Sequence, residues 1–193
     1  MRVISGNLKG RRLFSLKGQT LRPTSDRVKE AIFNILQDQI RGRKVLDLFA
    51  GTGALGIEAM SRGARSTVFV EESTRSLSAL RRNIEECNLK ERAEVLGREA
   101  GVAIKILEAR GDSFELIFLD PPYGKGLARR ALEALGRSSI VASGALAVAE
   151  HSLSEELDFI PSWQRVDRRR YGSTQVSFFR PEKESSDSER SSP

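Results

Sequence analysis

Two short stretches of this 193-residue chain hold residue types that can do chemistry. The first is Val45-Leu-Asp-Leu-Phe-Ala-Gly-Thr-Gly-Ala-Leu-Gly56, an apolar run that passes through a glycine turn into a helical pattern. Gly51, Gly53 and Gly56 satisfy the spacing of a dinucleotide loop, where glycines let the backbone approach a pyrophosphate. Two details argue against that ligand. Leu48-Phe-Ala separates Asp47 from the first glycine, whereas a dinucleotide loop turns at once so that its helix N-terminus meets the phosphates. A carboxylate at the strand end also repels a pyrophosphate, but it suits a ligand with an ammonium and a sulfonium, the two cations of S-adenosylmethionine. Asp47, Phe49, Gly51, Thr52 and Gly53 are therefore expected to surround such a cofactor. Glu71, some twenty residues past the glycines and at the end of the next apolar run, stands where an acid meets ribose hydroxyls. That acid fits a nucleoside of either kind. Glu72 reads as a solvated charge at a helix start.

The second stretch is Asp120-Pro-Pro-Tyr123, directly after the apolar run Leu116–Leu119. An exocyclic amine on a purine is a poor nucleophile because its lone pair is delocalised into the ring. If a carboxylate and a backbone carbonyl hold its two hydrogens, the nitrogen is drawn toward tetrahedral geometry and the lone pair can point at a methyl group. Asp120 supplies one acceptor and the carbonyl of Pro121 the other. Pro121 and Pro122 stiffen the backbone that presents that carbonyl, and Tyr123 offers a ring for the base to stack on. Such a reaction needs no general base, so His151, the one histidine, reads as a core residue. Cys87 continues the stripe Leu77, Leu80 and Ile84 and reads likewise. With one cysteine and one histidine, neither a disulfide nor a metal site is expected.

These residues must be positioned by an alternation of strands and helices. Val45–Phe49, Thr67–Val70, Ala93–Leu96, Leu116–Leu119 and Ala145–Ala149 read as buried strands, and Ala54–Arg62, Arg75–Cys87, Gly101–Arg110 and Leu127–Gly136 as helices. Strand, helix, strand in repetition gives right-handed crossovers, hence an α/β fold with a mainly parallel sheet covered on both faces. Trp163–Arg170 and Thr174–Arg180, joined at Tyr171-Gly172-Ser173, read as an antiparallel hairpin closing one edge. Ahead of the sheet, Val28, Ala31, Ile32, Ile35, Leu36 and Ile40 fall on one helical face, with Thr24 or Ser25 as N-cap. Residues 2–21, with Gly6, Gly10 and Gly18, suggest a small hairpin or extended arm. The division expected is a basic arm and helix over 1–44, the sheet domain over 45–180 and a disordered polar tail over 181–193.

Charge is distributed unevenly. Residues 1–44 hold eleven basic and three acidic side chains, a net +8, while the remaining 149 carry −2. Arg2, Lys9, Arg11, Arg12 and Arg22 are thus candidates for contacts with a polyanion's phosphates. Arg165, Arg168, Arg169 and Arg170 form a second basic cluster, which reads equally as an RNA contact or a solvated hairpin edge. No run approaches the roughly 20 apolar residues of a membrane span, and no signal-peptide pattern opens the chain, so a cytoplasmic protein without membrane contact is expected.

Taken together, DLFAGTGALGIEA and DPPY make the chain resemble the class I S-adenosylmethionine-dependent methyltransferases. MRVISGNLKGRRL, LRPTSDRVKEAIFNIL, RRNIEECNL and the two motifs, in that order, narrow the resemblance to the bacterial 16S ribosomal RNA guanine-N2 methyltransferases, over residues 1 to about 180. The resemblance implies a Rossmann-like seven-stranded sheet and methyl transfer to the guanine amino group of small-subunit ribosomal RNA, either free or in a partly assembled subunit; the oligomeric state stays open, with a monomer favoured. It also implies that the segment before the first helix covers the cofactor, with Arg22, Thr24, Ser25 and Arg27 near its methionine end. After the third strand the family often has a polar or acidic contact to adenine; here Glu99 is the contact expected by position, with Arg98 beside it as the residue that could take its place. DPPY is shared with adenine-N6 enzymes, which keeps adenine methylation of DNA or RNA as an alternative, beside a non-catalytic RNA-binding module on the same fold.

Overall fold

The computed structural model describes residues 1–16 and 26–182. Seven strands form one sheet: β1 (Lys44–Asp47), β2 (Ser66–Val70), β3 (Ala93–Leu96), β4 (Phe114–Leu119), β5 (Val141–Ser152), β6 (Trp163–Tyr171) and β7 (Thr174–Pro181). Their order is β3-β2-β1-β4-β5-β7-β6, parallel through β5 and antiparallel for β7 and β6. The helices are α1 (Asp26–Leu36), α2 (Ala54–Ser61), α3 (Thr74–Glu86), α4 (Ala100–Ala109) and α5 (Leu127–Gly136). This is the expected Rossmann-like sheet with its C-terminal hairpin, and most element bounds fall within a residue or two of the pattern. β5 is the exception, running several residues further at both ends than Ala145–Ala149.

Alternate residues of each central strand feed opposite layers, as a period of two requires. Leu46, Val68, Ile117 and Ala147 pack against α4 and α5. On the other face Val45, Leu116, Phe118 and Val148 pack against α1 and α2, and Phe69 against α2 and α3. Helix α1 shares that layer with the strands themselves. Its buried stripe is rotated from the expected one: Lys29 and Phe33 are fully buried, while Ala31 and Ile35 are only partly covered. The cause is specific pairing. Phe33 tilts against Phe118 at 5.6 Å under the Arg62 guanidinium, and the Lys29 ammonium lies 3.4 Å from Glu58 of α2. The helix ends at Leu36 in a 3₁₀ turn, so Ile40 is buried beyond it.

Residues 1–14 form the small hairpin, with Arg2 bridging Arg12, Val3 N–H donating to Arg11 and Leu13 N–H to Met1. It is bound tightly to α2. The Glu58 carboxylate accepts from the N–H groups of Ile4 (2.8 Å) and Ser5 (3.0 Å) and from Arg62 Nε, while Lys29 Nζ donates to the Arg2 carbonyl. Gly6 has φ +83°, and a Cβ there would lie 1.9 Å from the Ser61 carbonyl oxygen, so only glycine allows this approach. Arg22, Thr24, Ser25 and the tail from residue 183 lie outside the described residues. Among the described residues no helix is long and apolar enough to cross a membrane.

Candidate functional site

A cavity of about 420 Å³ opens at the carboxyl ends of the parallel strands. It sits where β1 and β4 adjoin and the strand order reverses, the place where ligands collect in open α/β sheets. Phe49 and Gly51 form one wall, Glu71 and Ser73 another, and Asp120, Pro121, Pro122 and Tyr123 the third. The fold thus brings the two motifs, more than sixty residues apart, around one space.

Backbone knitting explains the first two walls. Leu48 N–H donates to the Phe118 carbonyl and Ala50 N–H to that of Val70, so the chain leaving β1 is held on both sides. Both oxygens of Glu71 are engaged, one accepting from Gly51 N–H and the other from Ser73 N–H, each at 2.8 Å. Gly51 itself has φ +55° with nothing within 4 Å of where a Cβ would stand, so its backbone faces open space. Gly56 serves packing: a Cβ there would meet Phe69 Cε1 at 2.2 Å.

Several expected cofactor residues sit elsewhere. Asp47 is 1% exposed and lies beneath the loop, its Oδ2 accepting from Gly56 N–H at 2.9 Å near the start of α2. Burial, reinforced by the Glu71 charge and opposed by that hydrogen bond, pushes its carboxyl up to about 7. Gly53 is the left-handed N-cap of α2, and the Thr52 carbonyl accepts from Asn83 Nδ2; neither lines the cavity. Glu99 does line it, yet both of its oxygens cap α4 by accepting from Gly101 N–H and Val102 N–H. Its neighbour Arg98 also lines the wall and donates to the Gly97 carbonyl. Arg27 is exposed on α1 and is not among the described residues that line the cavity. Arg2, Lys9, Arg11 and Arg12 are all exposed on the hairpin arm.

Two residues that contact the Asp120–Tyr123 corner escaped the sequence pattern. Tyr123 Oη donates to Glu150 Oε1 at 2.8 Å and lies 3.1 Å from Thr174 Oγ1. Burial first, then the carboxylate nearby, pushes its hydroxyl pKa well up. The phenol is therefore fixed by contacts to β5 and β7. Glu150 lies inside the buried run 145–151 of β5, and its link to a tyrosine 27 residues earlier depends on the strand order alone. His151 is buried with Nε2 2.9 Å from Ser177 Oγ and Nδ1 near the Ser152 and Glu155 carbonyls, and burial lowers its pKa. It is a core histidine.

Sheet order, glycine turn and Asp-Pro-Pro-Tyr corner define a Rossmann-like methyltransferase of class I. More narrowly, the chain belongs to the family described as Conserved hypothetical protein 95, whose model matches residues 1–180. It is 36% identical over 181 residues to YlbH of Bacillus subtilis, covering 93% of this chain and 98% of that one. It is 34% identical over 174 residues to Ribosomal RNA small subunit methyltransferase D of Haemophilus influenzae, covering 89% of each. Among solved structures, yhhF from Escherichia coli superposes with a TM-score of 0.83 at 31% identity, over 94% of this chain and 98% of that one.

Proposed function

We propose that this protein transfers a methyl group from S-adenosylmethionine to the exocyclic N2 amino group of a guanine in small-subunit ribosomal RNA. What most supports this is the single cavity shared by the glycine turn and the Asp120–Tyr123 corner, in a chain whose Haemophilus relative bears the name of a small-subunit ribosomal RNA methyltransferase. The space suits a nucleoside-sized ligand, since pockets for such molecules run from roughly 300 to 1,000 Å³. Phe49, Gly51 and Glu71 would hold the cofactor: the open backbone face of Gly51 and a carboxylate beside it fit a ribose at this wall. When bound, the cofactor supplies an electrophilic methyl on a sulfonium.

The chain's own residues do the rest. Asp120 and the Pro121 carbonyl accept the two amine hydrogens and turn the lone pair toward the methyl group. Tyr123, its hydroxyl tied to Glu150 and Thr174, keeps its ring fixed for stacking. The amine loses its proton to water after transfer. A base that enters this corner must leave its stack, so the target is a looped-out or flipped nucleotide.

Labelled methyl transfer onto small-subunit ribosomal RNA, both free and in assembling particles, followed by nucleoside analysis, tests the proposal. N2-methylguanine is the expected product. N6-methyladenine would move the chemistry to the alternative base, and RNA binding without any transfer would reduce the protein to a binding module.

A further inference from the structure

The tip of the β6–β7 hairpin lies beside the catalytic corner, a placement the strand register makes explicit. Thr174, the first residue of β7, touches the Tyr123 hydroxyl and pairs with Tyr171; Arg170 pairs with Gln175, and Arg168 with Ser177. The Arg170 backbone is therefore one strand spacing of about 4.8 Å and one residue step of about 3.4 Å from that of Thr174, while its side chain, like that of Gln175, stands on the sheet face opposite the Thr174 side chain. Arg168 and Arg170 alternate onto one face, where with Gln175 and Leu153 they line a shallow hollow of about 230 Å³. Both guanidinium groups are exposed. Arg170 Nε donates to the Gly172 carbonyl, and Arg168 has one long contact, 3.4 Å, with the exposed Asp158. Arg169 differs: it donates to Asp167, and its register partner Val176 is buried in the opposite layer.

An outermost strand often carries charge merely to block edge-to-edge pairing. Charge placed for that purpose alone has no reason to gather at one end of the strand. Here the first half of β6 exposes Gln164 and Val166, its Arg165 is tied to Asp158, and the less committed cations gather at the tip.

We propose that this tip binds RNA backbone phosphates flanking the target nucleotide, with Arg168 and Arg170 gripping the strand as its base enters the corner. The inference rests on the RNA-methylating reading above. It makes the hairpin a substrate-positioning surface, since phosphate contacts fix register without reading sequence.

The test compares wild type, the Arg168→Gln/Arg170→Gln double variant and an Arg165→Gln control for binding to a small-subunit RNA fragment over a salt series. Two lost contacts to single-stranded phosphates should reduce the slope of log K against log salt by about 1.4. The double variant should also show a raised KM for RNA, with cofactor affinity and kcat at saturating RNA unchanged, while Arg165→Gln keeps the wild-type slope. An unaltered slope in a folded double variant overturns the inference alone, and so does an equal loss in the Arg165→Gln control. A double variant that loses cofactor binding is read through Arg170→Gln, for which a slope change below about 0.3 also overturns it. Wild-type protein that binds no RNA at all removes the parent reading and this one together.

Discussion

At Asp120, chemistry and cofactor binding can be separated. Asp120 lines the cavity together with Pro121, Gly51 and Glu71, so its loss should remove the proposed acceptor for the amine while leaving the Gly51 and Glu71 side of the cavity intact. Asp120→Ala is expected to lower methyl transfer by about 10²–10³ or more, the scale on which one transition-state contact is worth its removal, with S-adenosylmethionine affinity by calorimetry unchanged. Equal loss of both would make Asp120 a cofactor ligand. Asp47 carries a different expectation. Burial raises its carboxyl to about 7, above the ordinary value of 3.8, so between those pH values the folded state holds this proton more tightly than the unfolded chain. The side chain's contribution to stability is full below about pH 4 and is lost as pH rises through about 7. Asp47→Asn cannot ionise, and its amide oxygen can still accept from Gly56. Its melting temperature relative to wild type should therefore rise steadily from pH 4 to pH 8; a difference that stays flat would mean the carboxyl does not titrate in that range.

Among the elements, the buried Lys29–Glu58 pair joins the hairpin arm, α1 and α2 into one piece. Burial pulls the Lys29 pKa down and the Glu58 carboxylate pulls it back, so removing the acid strands an ammonium in the core. Glu58→Ala should cost about 3–5 kcal/mol. For a domain of this size that is a fall in melting temperature of roughly 6–20 °C, with faster hydrogen exchange at Ile4 and Ser5. Protection at those amides equal to wild type would show that the arm is held by Val3 and Leu13 packing instead. None of this network was legible in the sequence. Periodicity registers apolar stripes, and a charge buried by a partner 29 residues away leaves no periodic trace. The strands and helices were legible because each buries a run or stripe that local patterning reports. The two motifs were legible because each is contiguous. The backbone N–H groups that Asp47 and Glu99 accept from were not legible, since they depend on where the following helices start. Glu150 and Thr174 became visible only with the order β4-β5-β7 in hand.

For the molecule as a whole, positive charge is placed at both ends of the sheet, with the cavity between. The arm carrying Arg2, Lys9, Arg11 and Arg12 lies over α2 and α3, on the side of β1 to β3, and the Arg168–Arg170 tip lies beyond β5. One RNA that presents its base at the β1–β4 junction can meet both surfaces only if it spans the carboxyl edge. Contacts so far apart share no partner and should contribute independently to log K. Replacing the four arm cations by glutamine should lower the salt slope by up to about 2.8, at about 0.7 per phosphate contact. Combining that variant with the hairpin double variant should lower it by the sum of the two, with cofactor binding retained throughout. If the combined loss equals the arm's loss alone, the RNA runs over α2 and α3 and reaches the corner from one side only. If the arm variant keeps the full wild-type slope, the +8 carried by the first 44 residues is a solvated surface, and the hairpin tip with the rim of the cavity must supply the phosphate affinity by themselves.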